Sequence, residues 1–239
     1  MTLLDLSLPT AAENVALDEA LLLAAEDCTG GEVLRLWRQP TPAVVVGAGG
    51  SVAIDVDEAA CAADGVPVVR RSSGGGTVVL DPGCLCVSVV LRLDRPGLDT
   101  IAGATRFVMW KLRDAVRGHM ADVVLAGSGD LAAGGRKLAG SAQQRKRTHL
   151  LHHASVLGPS GDTFDRIARY LRRPEREPAY RAGRGHADFL ACVLCDDADL
   201  RRDVIAAWEP TGVYPNPPRD RVRELVAEKY GRDEWNRRR

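Results

Sequence analysis

Excess charge of either sign is missing from this chain: 32 Lys and Arg balance 32 Asp and Glu over 239 residues. Nothing global therefore draws it to nucleic acid or to an anionic membrane surface. Long apolar runs are missing as well, and no stretch approaches the roughly 20 residues that span a bilayer. The opening MTLLDLSLPT has neither the basic region nor the apolar run of a secretion signal. Six cysteines in a chain of this length do not read as a disulfide scaffold. Together these absences make the cytoplasm the expected compartment. The pairs Cys84/Cys86 and Cys192/Cys195 lie in apolar, strand-like runs without zinc-knuckle spacing, so buried thiols are expected rather than a metal site. Internal repeats, disordered linkers and a clear domain boundary are also lacking. The basic end Arg237-Arg238-Arg239 reads as a frayed, solvated terminus.

What is present alternates between helical and strand-like periods. Thr10-Ala-Ala-Glu13 forms a capping box, and NVALDEALLLAAED continues it as an amphipathic helix. EVLRLWR and AVVVG read as strands, separated by QPTP. DVDEAACAADG predicts a short helix starting at Asp55 and stopping at Gly65. VPVVRR, TVVL and CLCVSVVLRL are strand-like, the last two joined across Asp81-Pro82-Gly83. Residues 100–119 read as a helix and ADVVLAG as a strand. GGRKLAGSAQ and HLLHHASVLG are further strands, and the remainder from Asp162 is mostly helical apart from an irregular insert, RRPEREPAYRAGRGH. The pattern predicts one mixed α/β domain over 1–239, with an antiparallel-rich sheet flanked by helices.

The stretch VVRRSSGGGTVVLDPG, 68–83, sets two fixed positive charges against the chain's barest backbone. Three glycines let backbone approach a ligand closely and let successive N–H groups face an anion. No Gly-Lys-Ser/Thr ends the run and no helix pattern follows it, which excludes a Walker A loop and the dinucleotide fingerprint. Arg70 and Arg71 point to opposite faces of a strand, so one of them reaches the ligand. Lys137, in GGRKLAGSAQQRKR, stands among small and apolar residues, and two readings stay open for it: a lysine in a cleft or a solvated hairpin lysine. Arg145, Lys146 and Arg147 read as an exposed turn. His152 and His153 are adjacent in a strand, one facing in and one out, each packed or hydrogen-bonded. No Ser-His-Asp order and no glutamate-histidine metal motif stands out.

Taken together, these stretches resemble a known family. Arg70-Arg71-Ser72-Ser73-Gly74-Gly75-Gly76-Thr77-Val78-Val79-Leu80-Asp81 resembles the RRxSGGGxVxHD signature of lipoate-protein ligases. Gly135-Arg136-Lys137-Leu138-Ala139-Gly140-Ser141-Ala142-Gln143 resembles their GRKxSGxA segment, and Leu151-His152-His153-Ala154-Ser155-Val156-Leu157 their LHHGTLL strand. Ala12-Glu13-Asn14 and Leu34-Arg35-Leu36-Trp37 fit the opening helix and first strand, so the order agrees over roughly residues 10–160. The chain ends without the accessory C-terminal domain of many members, and YLRRPEREPAYRAGRGHADFL looks like the tail segment of compact, single-domain ones.

The resemblance implies the biotin/lipoate ligase fold and an ATP-dependent ligase. Lipoate, or octanoate, is joined to AMP with loss of pyrophosphate, and the acyl group then passes to a lysine of a lipoyl-domain acceptor. Lys137 is the implied catalytic group, bridging acid and α-phosphate. Arg71, Gly74, Gly75, Gly76, Thr77, Val78, Val79 and Lys137 would hold the nucleotide. Arg71, Lys137, Gly140, His153 and Ala154 would meet the acid, with Val78 and Val156 lining its apolar tail. ATP and Mg2+ are the implied cofactors. Asp130 matches the acid of an Asn-Asp-Leu stretch and is the magnesium-side candidate, but Gly129 replaces the asparagine and the metal ligands stay unassigned. Leu80 stands where the family has histidine, and Gly47-Ala48-Gly49-Gly50-Ser51 replaces GRxQN. A separate accessory protein is left open as a partner; nucleic acid and membrane are not expected.

Rival readings are ATP-independent octanoyl or lipoyl transfer from a carrier protein, biotin ligation, and a non-catalytic lipoate or acyl-adenylate binder. Carrier-dependent transfer needs a cysteine nucleophile, and the sequence sets no cysteine near Lys137.

Overall fold

A computed structural model describes residues 1–159 and 162–238. Ten strands form in chain order: β1 (Thr2–Asp5), β2 (Val33–Trp37), β3 (Ala43–Val46), β4 (Val68–Arg70), β5 (Val78–Leu80), β6 (Cys84–Arg92), β7 (Val124–Ala126), β8 (Asp130–Ala133), β9 (Arg136–Arg145) and β10 (His149–Leu157). The helices are α1 (Ala11–Glu26), α2 (Val52–Asp55), α3 (Glu58–Ala63), α4 (Ile101–Val116), α5 (Thr163–Tyr170), α6 (His186–Phe189), α7 (Asp197–Trp208), α8 (Arg219–Leu225) and α9 (Asp233–Asn236). Among these residues no helix is long and apolar enough to cross a membrane.

Seven strands make one sheet in the order β1-β2-β6-β10-β9-β8-β7, antiparallel except for the β1/β2 pair. Three make a second sheet, β4-β3-β5. The Asp81-Pro82-Gly83 turn therefore does not close a hairpin; it carries the chain from one sheet to the other. Asp81 is fully buried there, accepting from Gly83 N–H, from Thr163 Oγ1 and from Arg166 Nη1.

Both faces of the large sheet are covered. Leu34, Leu36, Val87, Val89, Leu138, Ala139, Leu150 and Val156 pack with α4 and α7 on one face. On the other face lies α1, together with the small sheet and the C-terminal helices. The capping box at Thr10 forms as the sequence predicts, with Glu13 N–H donating to Thr10 Oγ1 and Glu13 Oε2 accepting from Thr10 N–H. The helix it starts is not amphipathic: Asn14 to Leu22 are all buried, because α8 and the π-helical turn Val226–Tyr230 cover the side turned away from the sheet. Lys229 and Tyr230 both donate to Glu19 on that side.

Three further expectations are corrected. The short helix is capped by Asp57, whose carboxylate accepts from Ala60 N–H, and not by Asp55, which closes α2. Arg237 and Arg238 are not a frayed end: Arg237 pairs with Glu58, and the Arg238 guanidinium sits 3.6 Å from the Trp235 ring centre. Arg239 lies outside the described residues. Cys192 and Cys195 are half-buried, whereas Cys61, Cys84 and Cys86 are buried.

Candidate functional site

Strand register assembles the site. Across the large sheet, Trp37, Cys86, Ser155, Gly140 and Asp130 fall in one row of partners, and Arg35, Ser88, His153 and Ala142 in the next row of the same face. Alternation then sends His152 to the α4 face and His153 to the α1 face. Because both faces are covered, neither histidine points to solvent. His152 is fully buried, and burial, with the charge of His153 adding to it, lowers its pKa to about 3. Val156 likewise packs on the α4 face and does not line the site.

Lys137 reaches the site through an irregularity. Asp130 opposes Gly140 and Leu131 opposes Ala139, but Ala132 opposes Lys137, so β9 carries one extra residue. A bulge of this kind re-aims the side chains beside it. Leu138 and Ala139 both enter the α4 core, while Lys137 and Gly140 both face the cavity. A bare Gly140 leaves the ammonium its place, because a Cβ there would lie 2.7 Å from Lys137 Nζ and displace it. The ammonium is 2.8 Å from Asp130 Oδ1, and Asp130 Oδ2 accepts from Tyr180 Oη at 2.8 Å.

The cavity, of about 120 Å³, has an apolar part formed by Val15, Trp37, Val45, Val78, Leu80 and Cys86. Its polar part includes Arg71, Gly76, Thr77, Lys137, Ser141 and His153. Of the residues singled out in the sequence, Arg71, Gly76, Thr77, Val78, Lys137, Gly140, His153 and Ala154 come together on this wall. Gly74, Gly75 and Val79 are not part of it; Val79 faces the core of the small sheet.

Arg71 is almost wholly buried, and no carboxylate pairs with it among the described residues. Its Nη2 donates to Gly74 O at 2.6 Å and Gly76 O at 2.8 Å, its Nη1 to Val45 O and its Nε to Ser73 Oγ. The guanidinium thus holds the glycine loop from behind. Burial lowers its pKa to about 10, which still leaves it charged at neutral pH. Arg70 points the other way, toward Gly47 O, Gly50 O and Trp235 O, tying the C-terminal helix to the turn at 47–50. Gly75, at φ +85°, needs a bare Cα, and so does Gly47, where a Cβ would lie 2.0 Å from Gly75 O.

A second network was invisible in the sequence. His153 Nε2 is 2.6 Å from Ser73 Oγ, and His153 Nδ1 is 3.1 Å from Asp18 Oδ2. Asp18 is also paired to Arg35 at 2.6 Å and accepts from Ser88 Oγ. Burial pushes its carboxyl upward, but Arg35, His153 and Ser88 outweigh that and hold it below the usual range. Serine, histidine and aspartate therefore stand in triad order, although Ser73 is 1% exposed, receives Arg71 Nε–H and is not on the cavity wall. This geometry makes Ser73 a brace between Arg71 and His153 rather than a nucleophile. The relevant partners sit on different elements, so no spacing in the sequence announced them.

Cys86 corrects the expectation that no cysteine lies near Lys137: β6 and β9 flank β10, and both residues line one cavity. Burial, followed by the charges of Cys84 and Asp18, raises the Cys86 thiol well above its ordinary pKa.

The residues do not fit a protein-held magnesium. Both oxygens of Asp130 are engaged, Asp55 Oδ2 accepts from Thr77 Oγ1, and no cluster of three His, Cys, Asp or Glu that could hold a metal occurs among the described residues. A carboxylate neutralised by a lysine is a poor ligand for a hard cation that demands several oxygens.

Comparison with solved structures places the fold among the lipoate ligases. A bipartite lipoate protein ligase of Thermoplasma acidophilum, studied with its E2 lipoyl domain, superposes with a TM-score of 0.82 at 22% identity, covering 99% of this chain and 95% of that one. A lipoate-protein ligase A bound with ATP superposes at 0.77 with 24% identity, covering 99% and 98%. The family model of the lipoyl protein ligase A/B catalytic domain matches residues 10–188, and the chain belongs to that family. Among relatives, the octanoyltransferase LipM of Symbiobacterium thermophilum is 32% identical over 99% of this chain and 97% of its own length. A protein of Aeropyrum pernix provisionally named lipoate-protein ligase A is 35% identical over 60% of this chain, and the match spans about half, 52%, of that relative. The family thus includes ligases and transferases of lipoyl-type acyl groups.

Proposed function

We propose that this protein is an ATP-dependent ligase that activates lipoate or octanoate and passes the acyl group to a lysine of a lipoyl domain. One observation carries the reading: one cavity brings an apolar wall of Val15, Trp37, Val45, Val78 and Leu80 together with two cations, Lys137 and Arg71, and the thiol on its wall, Cys86, is held well above its ordinary pKa by burial. In the first step a carboxylate oxygen attacks the α-phosphorus of ATP. The new O–P bond forms as the bond to the β-phosphate oxygen breaks, and pyrophosphate leaves. Two anions must meet, so fixed cations supply the main stabilisation. Lys137 offers an ammonium on a flexible stem at the junction of acid and phosphate, and Arg71 adds charge behind the Gly76–Thr77 backbone. In the second step the acceptor amine attacks the acyl carbon, loses a proton and expels AMP. Lys137 then offsets the charge gathering on the departing phosphate. Trp37, Leu80 and Cys86, at the apolar part, would receive the acyl tail.

Carrier-dependent octanoyl transfer is the second reading, favoured by the end-to-end match to a LipM octanoyltransferase. It requires a thiolate to take the acyl group, and Cys86 is the thiol on the wall. Its raised pKa speaks against that role. The deciding experiment supplies a lipoyl domain with either free octanoate and ATP or octanoyl-carrier protein alone. The ligase reading expects modification in the first case and none in the second, with ATP-dependent modification retained in Cys86→Ala even if the acid's KM shifts. ATP-independent modification that Cys86→Ala abolishes would establish the transferase.

A further inference from the structure

The irregular insert and the residues that follow it have no part in the chemistry above, yet they grip Lys137 at two points. At the backbone, Ala191 N–H donates to Lys137 O at 2.9 Å, and Leu190 forms a parallel bridge with Lys137. At the side chain, Tyr180 Oη meets one oxygen of Asp130, whose other oxygen holds the ammonium. The segment bearing Tyr180 is itself locked. Arg184 Nη2 donates to Tyr180 O at 2.7 Å and to Gly135 O at 2.8 Å, and Arg181 and Arg184 each donate Nε–H to the other's carbonyl. The Tyr180 ring lies 5.1 Å from that of Phe189, over which the Arg181 guanidinium sits at 4.9 Å. Burial first, then the charge and hydrogen bond of Asp130, raise the phenol's pKa, so it remains a donor.

We infer that Tyr180 is a positioning residue for acid activation: by occupying one oxygen of Asp130 it fixes that carboxylate so that the other oxygen stations the Lys137 ammonium over Gly140. The inference rests on the ligase reading for its kinetic consequence, but not for its geometry. A carboxylate with one oxygen tethered cannot swing its charge away, so the ammonium meets each incoming acid from the same place. Asp130 serves here as the lysine's holder instead of a metal ligand.

The test compares the native protein with Tyr180→Phe, Asp130→Asn and the double variant. Trace acetylation, read by peptide mass, reports the reactivity of Lys137, with Lys111, Lys146 and Lys229 as internal standards. Tyr180→Phe is expected to raise Lys137 labelling about threefold with the standards unchanged, and to add nothing in the Asp130→Asn background, as partners acting through one contact are non-additive. In parallel, kcat for acid-dependent pyrophosphate release should fall about tenfold, the worth of one hydrogen bond to a charged group, with KM for acid and ATP little changed. Native-like Lys137 labelling in Tyr180→Phe, a rise in all four lysines together, or full additivity with Asp130→Asn would overturn the inference. Absence of pyrophosphate release from the native protein would instead remove the ligase reading, leaving the labelling to judge Tyr180.

Discussion

His152 provides a test of the fold with a worked magnitude. Its ring is fully buried on the α4 face with a pKa of about 3, whereas an unfolded histidine titrates near 6.5. As pH falls below 6.5 the unfolded chain takes up a proton that the folded chain refuses until about pH 3. Folding stability is therefore lost over that window, at about 1.4 kcal/mol per pH unit. Between about pH 7.5 and about pH 4.5 the loss is roughly 3 kcal/mol, a large share of a typical domain's stability. The perturbation is His152→Leu, which removes the titrating group and keeps an apolar side chain on the α4 face, two residues along β10 from Leu150 and opposite Val89 of β6. Urea unfolding of both proteins at the two pH values isolates the effect, because Asp18, Glu26 and the other titrating groups are common to both and cancel in the difference. The variant's advantage over the native protein should grow by about 3 kcal/mol on acidification. An advantage that stays constant with pH would refute the reasoning and put His152 in contact with water.

Three further substitutions probe the site. Gly47→Ala drives a Cβ into the Gly75 carbonyl, a backbone atom that cannot step aside; a loss of about 1–3 kcal/mol is expected, read as a lowered Tm. Ser73→Ala strips a partner from both Arg71 and His153, so urea unfolding should show a cost of about 1–3 kcal/mol, with acid activation weakened in the same variant. Gly140→Ala crowds only the flexible end of Lys137. Its stability should change by under about 0.5 kcal/mol, while the rate of acid activation falls about tenfold to 100-fold, as a displacement near 1 Å at a reacting centre can cause.

Local patterns were readable wherever a local cause sets the structure. The capping box, the strands on either side of QPTP, the helix from Thr100 and the two strands carrying Lys137 and the histidines all follow from short-range periodicity and punctuation. The amphipathic expectation for α1 failed because residues more than 200 positions away cover its second side; Lys229 and Tyr230 meet Glu19 there. For Lys137, sequence left open whether it is solvated or inward. The extra residue in β9 decides it, and a bulge has no signature in a run of small residues. The partners of Asp18, Ser73 and Cys86 went unread for a different reason. Each is ordinary in its own segment and acquires neighbours only through strand register and helix docking. The 172–186 insert carried no period because its work is tertiary: Tyr180 holds Asp130 at the start of β8, and Leu190 and Ala191, just beyond the insert, hold Lys137 of β9.

The central claim is that acid and ATP combine at Lys137 before any acceptor arrives. Exchange of labelled pyrophosphate into ATP, measured with lipoate or octanoate and without a lipoyl domain, reports that step alone. The account predicts exchange that depends on the acid and drops by about 100-fold to 1,000-fold in Lys137→Ala. Exchange equally fast in Lys137→Ala, or none in a native protein that still acylates lipoyl domains from a carrier, would contradict it.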